Sequence, residues 1–108
     1  MNKYRNKTYY VKGERLDSKR EGVAYIDLLW KQEKGLITDL QRQVKFELQP
    51  HYKMNGKTIR AITYIADFTY YDVEGKYHVV DVKGFKTEVY KIKKKLFEYK
   101  FGIELEEI

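Results

Sequence analysis

The sequence predicts an α/β (α+β) fold, in which helices pack on a central mixed sheet. A first helix precedes a run of strands, and a second helix and a last short strand follow them. The chain has 108 residues, which fits a single domain spanning residues 1–108. It contains no cysteine, so a modest apolar core rather than disulfides must hold the fold together.

The first helix is predicted over residues 18–34. Ser18 and Glu21 have the spacing of a capping box, and Gly35 supplies a stop. A helical repeat of apolar side chains, with Trp30 expected in the core, marks the inner face. Its members are Val23, Ile26 and Trp30. Before this helix, residues 1–6 are predicted to be a frayed basic tail and residues 7–16 a short strand or hairpin arm.

The middle of the chain has the alternation and turn signals of strands. Asn55-Gly56 is a strong turn signal, and the Gly75 turn joins two strands as a hairpin. The predicted strands cover residues 36–40, 44–48, 58–71 and 77–83. If Asp72 opposes Lys76, Asp67 lies directly opposite Asp81; if Asp72 opposes Gly75, a bulge is needed to align them.

A second helix is predicted to begin after Thr87 and to end at Gly102. Its apolar side chains recur on one face at helical intervals. They are Val89, Ile92, Leu96 and Tyr99. A last short strand is expected within residues 103–108.

Composition limits the classes of function. No apolar run reaches the roughly 18 residues of a membrane span, and the basic start leads into no apolar signal segment, so we expect a cytoplasmic protein without a membrane partner. His51 and His78 lie far apart and cysteine is absent, so a zinc site is not expected. The net charge of +6 favours polyanions such as DNA, although solubility alone also accounts for such a charge.

Two acidic residues interrupt strands that otherwise have core composition. Asp67 follows Ile65-Ala66, and Asp81 lies within Val79-Val80-Asp81-Val82-Lys83. Asp is depleted in strands and is rarely buried without a partner. Asp81 and Lys83 share a face because strand side chains alternate. Facing carboxylates repel one another unless a cation lies between them.

An oxygen-lined pocket of this kind suits Mg²⁺ or Mn²⁺. Lys83 would point at the same pocket, where it can hold a phosphate oxygen or orient the attacking water. This is the chemistry of phosphodiester hydrolysis. The alternative is a structural ion-pair cluster at a strand end, although buried ion pairs rarely gain net stability.

The order Glu21 in the first helix, Asp67, a hairpin and Asp81-x-Lys83 resembles the PD-(D/E)xK nuclease superfamily. Ala66 stands where the motif has proline. Longer strings resemble a group of small bacteriophage endonuclease-like proteins in that superfamily. These strings are residues 64–70 and 81–84, with Thr87 and Tyr90 downstream, and the resemblance covers about residues 17–108.

The resemblance implies a restriction-endonuclease-like core, with a central four-stranded mixed sheet flanked by helices. It implies that Asp67 and Asp81 ligate the metal, that the Val82 carbonyl assists, and that Lys83 is catalytic. It also implies that Glu21 completes the site through the metal or its water. The alternative for Glu21 is the capping-box role.

The expected function is that of a Mg²⁺-dependent DNA endonuclease, that is, a metal-dependent deoxyribonuclease. Its expected role is phage DNA processing in the cytoplasm of the host cell, through resolution of branched junctions, nicking of DNA or help with packaging. Expected partners are DNA, phage replication or packaging proteins and a second copy in a homodimer. The alternative is a non-catalytic DNA-binding or phage assembly module on the same fold. Five residues near the second helix are candidates for DNA contact, if they are not simply a solvated face. They are Lys86, Thr87, Lys91, Lys94 and Lys95.

Overall fold

The computed structural model describes residues 9–108, which form a four-stranded mixed sheet, two helices and two small hairpins. The elements are β1 (Tyr9–Val11), β2 (Glu14–Leu16), α1 (Lys19–Glu33), β3 (Ile37–Gln49), β4 (Tyr52–Met54), β5 (Lys57–Ile59), β6 (Ile62–Asp72), β7 (Tyr77–Asp81), α2 (Glu88–Phe101) and β8 (Leu105–Glu107). The predicted α+β class and four-stranded mixed sheet are confirmed. The tail predicted at residues 1–6 lies outside the described residues, as do residues 7 and 8 of the short strand or hairpin predicted over residues 7–16.

The central sheet has the strand order β3-β6-β7-β8. Its first two pairings are antiparallel, and β7 pairs with β8 in parallel. Parallel neighbours need a crossover connection, which α2 provides between β7 and β8. Among residues 9–108, no helix has the length and apolar content needed to cross a membrane.

Each face of the sheet carries a buried apolar cluster. One core contains Phe97 of α2 packed with Tyr64, Ala66 and Val79. The other contains Leu28 of α1 with Ile37, Phe68 and Val80. Each helix therefore covers one face of the sheet, so a side chain on β6 or β7 belongs to the α1 side or the α2 side.

The β6–β7 hairpin adopts the register that aligns the two acidic residues. The Asp72 N–H donates to the Lys76 carbonyl at 2.9 Å. The ladder then pairs Tyr71 with Tyr77 and, at its far end, Phe68 with Val80. Asp67 and Asp81 come next along this register, so the first of the two predicted pairings is confirmed.

The predicted strand boundaries are wrong in three places. The strands predicted at 36–40 and 44–48 form one strand, β3 (Ile37–Gln49), because pairing with β6 resumes beyond Asp39 and beyond Gln43, whose φ angles are 56° and 52°. The predicted strand at 58–71 is instead two strands, β5 and β6, because β5 pairs only with β4 in a separate hairpin. The returning strand ends at Asp81 rather than at residue 83.

The predicted inner faces of both helices are also wrong. Trp30 is 52% exposed, and Val23 and Ile26 are exposed as well, so Trp30 lies outside the core. On α2 the predicted stripe is exposed, and Tyr90 and Phe97 are the buried side chains. The exposed stripe comprises Val89, Ile92, Leu96 and Tyr99. Each helix carries apolar residues on more than one face, and periodicity alone does not show which face meets the sheet.

Neighbouring positions on α2 test this reassignment. We expect Phe97→Ala to lower the free energy of unfolding by about 3–5 kcal/mol, because Phe97 is 0% exposed and its removal leaves a cavity. Leu96→Ala, at a position 43% exposed, should cost less than about 1 kcal/mol. Urea unfolding of the two variants measures the difference, and equal losses would contradict the observed orientation of α2.

Candidate active site

Asp81 ends β7 and is 1% exposed, facing the α2 side as Val79 does. Its Oδ2 accepts a hydrogen bond of 2.8 Å from the Tyr64 hydroxyl. The same oxygen lies 3.3 Å from the Lys83 Nζ. The carboxylate is therefore held by one neutral donor and one cation at the edge of the core.

Asp67 brings a second carboxyl group to the site. It lies opposite Asp81 in the register of the β6–β7 hairpin, and its Oδ2 accepts from the Val82 N–H at 2.7 Å. Burial raises the pKa of Asp67, and interaction with the Asp81 side chain raises it further, while the Val82 N–H acts in the opposite direction. Without a cation, protonation of Asp67 is therefore favoured.

A local change of face in β6 places Asp67 on the same side of the sheet as Asp81. Ala66 packs on the α2 side and Phe68 packs on the α1 side. Strict alternation would place both on one face, so the strand must change face between them. Gln43, between the partners of these two residues on β3, has a φ of 52°, which marks the same irregularity on the neighbouring strand. Asp67 consequently joins Asp81 on the α2 side.

Glu21 approaches the pair from the first turn of α1 and is 7% exposed. Its Oε2 accepts from the Gln43 Nε2 at 3.2 Å and lies 3.5 Å from the Arg42 guanidinium. Gln43 Nε2 also lies 3.4 Å from Asp67 Oδ1, so one amide links the two acids. Burial raises the pKa of Glu21 against the opposing effect of Arg42.

The capping role accounts for the Glu21 backbone only. Its N–H donates to the Ser18 Oγ at 3.1 Å, which confirms Ser18 as the helix cap. Among the hydrogen bonds of residues 9–108, none returns the Glu21 carboxylate to the Ser18 N–H. The carboxylate instead contacts Gln43 and Arg42.

Lys83 lies just beyond β7 at the solvent edge of the site. Its side chain is 27% exposed, and its ammonium group lies 4.5 Å from the centre of the Tyr90 ring. Its backbone carbonyl accepts a hydrogen bond of 2.9 Å from Arg20. The ammonium group can therefore contact Asp81 and a ligand in solvent at the same time.

The acidic side chains of the site offer a small donor set for a metal ion. Within the described part of the chain, no group of three or more His, Asp or Glu side chains lies close enough to hold one. The set offered by Asp67 and Asp81 nevertheless fits Mg²⁺, which binds through one or two carboxylates and keeps several waters. A cation between them would also offset the negative charge of Asp81, which adds to the effect of burial in raising the pKa of Asp67. The part assigned to the Val82 carbonyl stays a prediction.

Most of the predicted DNA-contact residues have partners within the protein. Lys86 and Lys94 lie 3.2 and 3.3 Å from Glu107 Oε1. Lys91 pairs with Glu88 at 3.3 Å. The Thr87 hydroxyl caps α2, while Lys95 forms no ion pair with the residues described. This surface is therefore partly neutralised before any ligand binds.

Sequence reasoning missed the two polar residues that organise the acids, Tyr64 and Gln43. Tyr64 is buried, and burial together with Asp81 raises the pKa of its hydroxyl group, so it remains a hydrogen-bond donor. A phenol on a strand that faces a core is a signal for a buried polar partner. The sequence does not indicate a role for Gln43, because a polar residue on an alternating strand is expected to face solvent.

Residues 1–107 match the model of one protein family, described as protein of unknown function (DUF1064). The chain belongs to the DUF1064 family. Comparisons with curated proteins and with solved structures gave no significant match. The function of this DUF1064 protein must therefore be inferred from the chemistry of its own residues.

Proposed function

We propose that this DUF1064 protein is a Mg²⁺- or Mn²⁺-dependent DNA endonuclease of the PD-(D/E)xK type. The observation that carries the proposal is the placement of Asp67 opposite the buried Asp81 in the β6–β7 hairpin, with the Lys83 ammonium group 3.3 Å from Asp81 at the solvent edge. Two acids forced together cost stability, and apolar residues would serve the fold better. Cation binding would explain why two acidic residues are placed together at this position.

Asp67 and Asp81 would hold the metal ion, which stabilises the charge that develops on the phosphodiester during hydrolysis. Tyr64 and the Val82 N–H fix the orientation of the two carboxylates through the hydrogen bonds already described. Such fixed donors reduce the reorganisation needed during the reaction. The acidic pair is therefore preorganised before substrate binds.

Lys83 and Glu21 supply the remaining chemistry. Lys83 donates a hydrogen bond to a non-bridging phosphate oxygen or to the attacking water. The Glu21 carboxylate, linked to Asp67 by Gln43, is available to accept a hydrogen bond or a proton from water at the site. Its raised pKa brings it closer to the range useful for general base catalysis.

A cleavage assay tests this function. The protein should nick or cut supercoiled plasmid or branched DNA in Mg²⁺ or Mn²⁺ and should be inactive in EDTA. A DNA substrate is consistent with action in the cytoplasm of the host cell, and cleavage of branched DNA would favour a role in phage DNA processing. Binding without cleavage would indicate a non-catalytic DNA-binding module, and neither binding nor cleavage would contradict the proposal.

A further inference from the structure

A two-stranded hairpin projects from the domain on the side where β3 and β6 leave the central sheet. This segment, residues 50–61, is called the arm. Its strands β4 and β5 pair only with each other, and every residue from Pro50 to Arg60 is exposed. The radius of gyration is 16.3 Å, compared with about 13 Å for a compact domain of this length. The arm therefore extends the molecule outwards and contributes no side chain to the hydrophobic core.

The arm has a defined local geometry. Asn55 and Gly56 both have positive φ angles, 52° and 76°, as expected for a tight two-residue hairpin turn. Tyr52 pairs with Ile59, and Met54 pairs with Lys57. An isolated hairpin contributes little stability. The core consequently places few constraints on its side chains, which are free to serve binding.

The arm carries unneutralised positive charge. Lys53, Lys57 and Arg60 lie between Pro50 and Ala61, a segment without Asp or Glu. None of the three forms an ion pair with any residue from 9 to 108, whereas Lys86 and Lys94 share Glu107. Free cations that meet phosphates release counterions, which is the main source of affinity for nucleic acid.

The two faces of the arm differ. Cross-strand partners share a face, as do alternate residues of one strand, so Tyr52, Met54 and Ile59 form an apolar patch beside Lys57. Lys53 and Thr58 lie on the opposite face. A two-stranded ribbon fits the major groove of DNA, which is about 12 Å wide. Cations on both faces can then meet phosphates on both sides of the groove.

The arm also lies within reach of DNA held at the candidate site. It continues from β6, the strand that carries Asp67. At about 3.3 Å per residue, the chain from Asp67 to Ile59 spans at most about 26 Å. One turn of the duplex is about 34 Å. The arm can therefore contact the same duplex within about one turn of the phosphate at the site.

We propose that the arm is a DNA-binding β-ribbon that holds the duplex through Lys53, Lys57 and Arg60. The inference rests on the proposed nuclease function, because the arm would bind the DNA that the candidate site cleaves. A second copy of the chain is the competing occupant. Three like charges without an acidic residue in the arm favour a polyanion over self-association.

The test compares two triple variants with equal loss of charge. Lys53→Gln/Lys57→Gln/Arg60→Gln changes the arm, and Lys12→Gln/Lys34→Gln/Lys76→Gln changes exposed lysines elsewhere. Binding to a duplex of about 30 base pairs is measured in EDTA over a salt series, so cleavage does not intervene. Because the arm variant should neutralise three fewer phosphates, its slope of log K against log[salt] should become shallower by about 2.7, whereas the slope of the other variant should not change.

Three results would overturn the arm proposal. They are equal slopes for the two variants, no DNA binding by the wild type, or a dimer that Tyr52→Ser/Met54→Ser/Ile59→Ser dissociates without changing the salt slope. The cleavage assay separates this proposal from the nuclease function. Cleavage with an arm-independent slope would refute the arm alone, whereas an arm-dependent slope without Mg²⁺-dependent cleavage would refute the nuclease alone.

Discussion

We expect Asp81→Asn to abolish Mg²⁺-dependent DNA cleavage, by roughly 10³-fold or more, while DNA binding stays intact or becomes stronger. An amide is a poor ligand for a hard cation in place of a carboxylate, so the site loses the ion that stabilises the phosphodiester charge. Binding is preserved because the substitution removes a negative charge from the site where the DNA phosphate would lie. Plasmid cleavage and filter binding on the same preparation measure the two effects.

The same substitution should not destabilise the metal-free protein. Asparagine can still accept from the Tyr64 hydroxyl, and it no longer repels Asp67. Lys83, with 27% of its side chain exposed, can turn towards solvent. We expect a gain of about 0.5–2 kcal/mol in the free energy of unfolding. A structural ion pair would give the opposite sign, since breaking it leaves an ammonium group without its partner.

Asp27→Asn is the matched control for this variant. Asp27 forms an exposed ion pair with Lys31 on α1, away from the acidic pair. Exposed pairs of this kind contribute little to stability. The control should therefore cleave DNA as the wild type does, and a loss of activity equal to that of Asp81→Asn would point to a general effect of charge.

The second large effect is expected at Lys83. Lys83→Gln should lower the cleavage rate by roughly 10²–10⁴-fold, because the group that meets the phosphate or the water loses its charge. DNA affinity should change little, since one cation among many is removed. Single-turnover cleavage at saturating DNA measures the rate separately from binding.

Lys86→Gln provides the comparison, because the Lys86 ammonium group pairs with Glu107 rather than with Asp81. Its cleavage rate should stay within about fivefold of the wild type, well below the loss expected for a catalytic group. A Lys83 variant that cleaves normally, or a Lys86 variant that fails equally, would remove Lys83 from the proposed mechanism.

The sequence was sufficient to predict the two helices and the β6–β7 hairpin, and to limit the hairpin to two registers, one of which the structure adopts. Both depend on local signals, namely the Ser18 cap, the Gly75 turn and the alternation on either side of it. The shared face of Asp81 and Lys83 followed from the same alternation, and their contact at 3.3 Å is consistent with it. Local chemistry fixes these features because neighbours in sequence are also neighbours in space.

The features that sequence could not predict depend on tertiary packing. The buried face of α2 is set by Phe97 against Phe46 and Tyr64 of the sheet, and both helix faces had an apolar pattern. The change of face between Ala66 and Phe68 interrupts the alternation on which strand predictions rest. The link that Gln43 makes between Glu21 and Asp67 joins three separate elements, so no local spacing could reveal it.

The central claim is that Asp67 and Asp81 bind a divalent cation, and thermal melting with and without Mg²⁺ at equal ionic strength tests it most directly. At about ten times its dissociation constant, Mg²⁺ should stabilise the wild type by about 1.4 kcal/mol, a rise in Tm of at least about 5 °C. Asp81→Asn should melt at or above the metal-free wild type and should not respond to Mg²⁺. A variant less stable than the wild type, together with no Mg²⁺ effect on either protein, would contradict the claim.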